Sequence, residues 1–81
     1  MNKFTYSTLN KVKIDSTCKV CSIYNENETL VKRLYDLGFV KNTKVVPLFR
    51  NISKSATAYF IKGSVIALRD IDAKSIVVYT V

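Results

Sequence analysis

The stretch TLVKRLYDLGFVKNTKVV, residues 29–46, sets the architecture of this chain. Leu30, Val31, Leu34 and Leu37 recur at i, i+1, i+4 and i+7, which is one face of a 3.6-residue helix. Lys32, Arg33 and Asp36 fall mostly on the opposite face. Gly38 stands where a helix C-terminus takes a residue with positive φ. The preceding Asn25-Glu26-Asn27-Glu28 supplies N-cap residues and acids suited to the positive end of a helix dipole. The pattern predicts a helix over about 28–37, a tight connector at 40–43 and a β-branched strand from Lys44.

Working outward, short strands follow one another. Thr17–Tyr24 alternates as a first strand, with Asp15-Ser16 as the turn before it and a short turn at 9–11 capped by Ser7 or Thr8. Lys44–Arg50 is a second strand. Pro47 removes one ladder donor from it, so the strand is an edge there or carries a bulge. Ala56–Lys62, Val65–Arg69 and Ser75–Thr80 complete the set. Lys62-Gly63-Ser64 reads as a hairpin turn, and 70–74 as a single helical turn capped by Asp70. Strands at intervals of roughly 8–12 residues, joined by tight turns, suggest a small barrel in which curling closed hides the sheet edges. The expected core includes Leu30, Leu34, Leu37, Val45, Ile61, Leu68, Ile76 and Val78.

The chain has 81 residues, enough for one domain with a modest core. Its 48% hydrophobic content argues against disorder. No apolar run approaches the roughly 20 residues of a membrane span, and the N-terminus lacks a signal-like apolar run, so a cytosolic protein without membrane insertion is expected. Thirteen Lys and Arg against six Asp and Glu give a formal charge of +7. The plain reading is a solvated basic surface. The sharper ones are nucleic acid or an anionic membrane face. The charges are dispersed, and three arginines are few for gripping phosphate.

Catalytic chemistry is poorly provided for. There is no His, only two glycines, and carboxylates sit in polar turns where capping or solvation explains them. This points away from an enzyme. Cys18 and Cys21 form a CxxC, yet zinc needs about four ligands and a redox CxxC opens a helix. In a strand the two thiols point to opposite faces, too splayed for a disulfide. Neither a metal nor a cofactor is expected. Aromatics interleaved with lysines could stack on single-stranded nucleic acid, although a small β core also needs aromatics.

The ordered set Arg33-Leu34…Leu37-Gly38, Thr43-x-Val45, then Gly63…Ala67-Leu68-Arg69…Ala73…Ile76-x-Val78 resembles the ferrous iron transport protein A family, FeoA. The likeness extends from about Leu9 to Val78. Lys41-Asn42 replaces the family's Pro-Gly, Asp15 replaces a common Gly, and the loop 51–56 lacks the family's Gly and prolines. The resemblance implies a single FeoA-like domain over 1–81, an SH3-like barrel of five to six strands with one main helix. It implies a non-enzymatic accessory module of bacterial Fe(II) uptake that binds the cytosolic part of the FeoB-type transporter, recruited to the inner face of the membrane. Weak self-association stays open. At family level it also implies a link to transition-metal binding, which the scattered carboxylates and missing imidazoles here support poorly. The alternative is a basic SH3-like or OB-like module binding nucleic acid without sequence preference. Binding modules act through exposed aromatic or apolar anchors rimmed by charge. The expected partner surface is therefore Lys32, Arg33 and Tyr35 on the outer side of the helix, with Lys41 adjoining. The competing reading pairs Arg33 with a carboxylate and places Phe39 in the core.

Overall fold

A computed structural model describes residues 4–80. Six strands form one antiparallel sheet: β1 (Thr5–Thr8), β2 (Cys18–Ile23), β3 (Lys44–Arg50), β4 (Ala56–Ile61), β5 (Ser64–Arg69) and β6 (Ile76–Thr80). Helix α1 (Glu28–Asp36) joins β2 to β3, and the single-turn helix α2 (Asp70–Ala73) joins β5 to β6. A 3₁₀ turn at Leu9–Lys11 follows β1. The strand order is β1-β6-β2-β3-β4-β5.

β1 and β5 do not pair among the described residues, so the sheet is open and the expected closure into a barrel is not made. The short β2–β3 junction gives the physical reason. It has only two paired positions, Cys18↔Val45 and Lys19↔Lys44. The longer ladders lie to either side of it, β1-β6-β2 and β3-β4-β5. Beside it the Val20 N–H donates to the Thr43 carbonyl at 3.0 Å and the Asn42 N–H to the Val20 carbonyl at 2.7 Å, and core side chains complete the join between the two halves.

Helix α1 begins at Asn27, whose side chain accepts the Leu30 N–H at 3.1 Å. Its end is a paired-bond cap. The Phe39 N–H donates to the Leu34 carbonyl at 3.1 Å, and the Gly38 N–H to that of Tyr35 at 3.0 Å. Gly38 holds φ +109°, as expected. This turn drives Phe39 into the centre, where it and Leu34 are both fully buried. The core reading of Phe39 is therefore correct. Leu34, Val45, Ile61, Leu68, Ile76 and Val78 are buried as expected, while Leu30 packs only partly against them. Leu37 is 37% exposed, contrary to expectation. It is the C-cap, at the rim of the apolar stripe, and Phe39 fills the space beneath the helix end.

Bulges let the strands meet this core. Val20 pairs with Val78 but Ser22 with Val77, leaving Cys21 as the extra residue. The bulge resets the alternation, so Val20 and Ile23, three apart, both face inward. In β3 the register shifts between Pro47 and Phe49, the bulge that proline predicts. The freed carbonyl of Pro47 accepts the Asp15 N–H at 2.7 Å. Asp15 (φ 68°) and Asn42 (φ 70°), both at glycine positions of the resembled family, keep the left-handed backbone. Lys62 and Gly63 both have positive φ, the two-residue turn that matches strand twist. Two expectations need amending. The turn at Leu9–Lys11 follows Thr8 as expected, though without a side-chain cap bond, and β1 before it is an additional strand. The N-cap of α2 is Arg69, with Asp70 inside the helix.

Leu34→Ala removes a fully buried side chain and is expected to cost about 2–5 kcal/mol in urea unfolding. Gly38→Ala combines a disfavoured φ with a new Cβ 3.3 Å from Lys62 Cδ. It is expected to cost about 1–3 kcal/mol, read from the same midpoint shift at constant slope.

Candidate docking surfaces

The four expected partner residues are divided among three surface hollows. Lys32 and Tyr35 share one between α1 and the end of β2, together with Ile23, Tyr24, Glu28 and Val31. The hollow is open and holds about 390 Å³. Its apolar wall is exposed: Tyr24 is 72% and Tyr35 44% accessible. Helical spacing explains the grouping, since Glu28–Lys32 and Val31–Tyr35 are i,i+4 neighbours. Arg33 is turned away from this group. It lines a smaller hollow with Asn27, Leu30, Arg69 and Asp72. It forms no ion pair among the described residues, so the expected pairing with a carboxylate is not made.

Lys41 lies elsewhere again, in a third hollow of about 310 Å³ lined by Phe4, Tyr6, Cys21, Asn42 and Tyr79. Tyr6 lies opposite Tyr79 in the β1–β6 ladder, with ring centres 6.1 Å apart. Phe4 meets Tyr79 edge to face at 5.2 Å. The Tyr79 hydroxyl donates to Asn42 Oδ1 at 2.8 Å, fixing its ring. Beyond Tyr79 lies a smaller hollow that includes Thr17 and Lys19. This aromatic ledge escaped the reading of the sequence because β1 was not recognised. The alternation of Phe4 and Tyr6 with Thr5 and Ser7 was the available signal.

The arginines are mostly occupied within the fold. Arg50 bonds Asp70 at 3.1 Å and the Asn10 carbonyl at 2.9 Å, tying β3 to α2 and the 3₁₀ turn. Arg69 pairs with Asp72 at 3.2 Å. Among the described residues no group of three or more His, Cys, Asp and Glu gathers where a metal could sit. Both cysteines are free. Cys18 is buried and its thiol donates to the Val45 carbonyl at 3.3 Å. Burial pushes its pKa from 9.0 up to about 11.

An open antiparallel sheet, with helix α1 inserted between β2 and β3 and shallow aromatic hollows on its surface, defines a small module of SH3-like fold. A family model described as "FeoA domain" matches residues 7–80, and the chain belongs to the FeoA family. A FeoA-like protein from Clostridium acetobutylicum is 29% identical, with a TM-score of 0.82 over 96% of this chain and 87% of that one. FeoA from Chlorobium tepidum is 25% identical, with a TM-score of 0.79 over 89% and 68%. FeoA from Stenotrophomonas maltophilia, solved with zinc and described as a prokaryotic SH3 domain protein, is 27% identical, with a TM-score of 0.77 over 88% and 87%. No curated protein sequence matches the chain.

Three expectations follow. Alkylation near pH 8 is expected to modify Cys21 and spare Cys18, because the thiolate is the nucleophile and Cys18 is both buried and protonated. The sign for stability is fixed by the same shift. A folded-state pKa raised from 9.0 to about 11 gives stability that is full below pH 9 and lost as pH rises towards 11. Incubation with a strong chelator is expected to leave the thermal midpoint unchanged, and a lowered midpoint would reveal a structural metal.

Proposed function

We propose that this FeoA-family module serves bacterial ferrous-iron uptake by binding the cytosolic part of the FeoB-type transporter, at the inner face of the membrane. The FeoA family consists of non-catalytic adaptor and regulatory domains, and this chain is one of them. The Stenotrophomonas maltophilia relative is described as a candidate ferrous-iron transport activating factor, which supports the same role here. No described helix is long and apolar enough to cross a membrane.

The observation that carries this reading is the open hollow beside α1. It presents Tyr24 and Tyr35 over apolar Ile23 and Val31, with Lys32 and Glu28 in its lining. An exposed aromatic pair with charge beside it is the composition of a protein-binding hot spot. We place the contact at Lys32 and Tyr35. Arg33, on another side of the helix, is not in this hollow and contributes little. The nucleic-acid alternative is weaker, because Arg50 and Arg69 are engaged with carboxylates inside the fold.

A pull-down against the transporter's cytosolic domain tests the reading. Wild type is expected to be retained, Tyr35→Ala to lose about tenfold or more in affinity, and Lys32→Glu to lose a smaller amount. No retention of wild type, with or without nucleotide, would remove the adaptor role. Equal binding by all three would move the contact away from α1.

A further inference from the structure

Lys19 on β2 lies directly opposite Lys44 on β3. Like charges facing each other across a ladder are destabilising, since the Cβ atoms are only about 4.5–5.5 Å apart. Lys44 is exposed and Lys19 partly so, and solvent rather than an ion pair moderates the repulsion. Among the described residues neither lysine forms an ion pair and no carboxylate lines the hollows on either side of Tyr79. Lys19 is also opposite Tyr79, whose other ladder neighbour is Tyr6. One cross-strand row therefore reads Tyr6, Tyr79, Lys19, Lys44, with Lys41 in the hollow beside it. Tyr6 is 60% exposed and Phe4 51%. A like-charged pair beside an exposed aromatic ledge departs from two local rules, and such departures are expected at functional surface.

We infer that this row is a second docking surface, taking an acidic polypeptide segment with an aromatic or apolar anchor from the transporter's cytosolic part. The proposal rests on the transporter reading and gives it a charge-dependent contact separate from α1. Acidic side chains of the segment would neutralise Lys19, Lys41 and Lys44, and its anchor would sit against Tyr6 and Phe4 in the hollow that holds Cys21. A polypeptide suits the site better than a polynucleotide for two reasons. The face carries no arginine, so phosphate would meet point charges only. β1 is also an edge strand whose outer side has no described partner, and a free strand edge offers backbone hydrogen bonds that an extended peptide satisfies.

The test measures affinity for the transporter's cytosolic domain at low and at physiological ionic strength. Wild type is expected to bind more weakly as salt rises. Lys19→Glu/Lys44→Glu is expected to lose about tenfold or more and most of the salt dependence, and Tyr6→Ala about tenfold. Lys19→Gln/Lys44→Gln removes the repulsion, so it keeps or raises the thermal midpoint while still weakening binding. That separates a lost contact from a lost fold. Alkylation of Cys21 is expected to slow severalfold in the complex. Wild-type binding matched by the folded double variants, with Cys21 unprotected, would overturn this surface and leave the α1 reading standing. No binding by wild type would overturn both. Retention at physiological salt of single-stranded DNA or anionic phospholipid vesicles, lost in the same double variants while transporter binding is kept, would assign the surface to a different occupant.

Discussion

The fold depends on the way helix α1 ends. The paired hydrogen bonds from Phe39 to Leu34 and from Gly38 to Tyr35 close the helix and reverse the chain within two residues. Gly38 adopts φ +109° so that this can happen. The reversal sets Phe39 against the core beside Leu34, both without solvent contact. Burying a side chain of this size contributes about 1.5–3 kcal/mol, a large share of the stability of so small a domain. The same cap leads into Val40–Thr43, where Asn42 receives the Tyr79 hydroxyl. One turn thus places the helix on the sheet and fixes the central ring of the aromatic ledge.

Two bulges adapt the strands to that core. At Cys21 the extra residue lets Val20 and Ile23 face inward together and leaves the thiol lining the ledge. At Pro47 the missing donor is absorbed, and its carbonyl instead holds the Asp15 turn. The outer surface is organised differently. Arg50 and Arg69 are satisfied by Asp70 and Asp72 at one end, as partly exposed pairs worth about 0–1 kcal/mol each. The lysines around Tyr79 find no such partners among the described residues. Among the described residues only Arg50 and Arg69 are paired, and three of the unpaired lysines, Lys19, Lys41 and Lys44, lie beside the exposed aromatics.

Much of the scaffold was legible in residue order. The period of Leu30, Leu34 and their neighbours, Gly38 at the stop, Pro47 in a strand and Gly63 in a turn each carry a local rule, and each appears where the rule puts it. That the sheet stays open among the described residues was not legible, because closure depends on sheet curvature that no local pattern encodes. β1 was missed because four residues ending in Ser7-Thr8 also read as a cap. The proposed docking surfaces were only half visible. Helical spacing groups Lys32 with Tyr35, whereas Tyr6, Tyr79, Lys19 and Lys44 are brought together only by register between strands far apart in the chain.

In the proposed complex a rigid core presents two faces to one partner without itself rearranging. Amide chemical-shift mapping of the labelled chain, titrated with the transporter's cytosolic domain, tests this most directly. The expected result is a set of shifts confined to residues around Tyr24, Lys32 and Tyr35 and around Tyr6, Lys19, Lys41 and Tyr79, with Leu34, Phe39, Val45 and Ile76 unmoved. Shifts spread through the core, or clustered on the β4–β5 hairpin away from both faces, would contradict it.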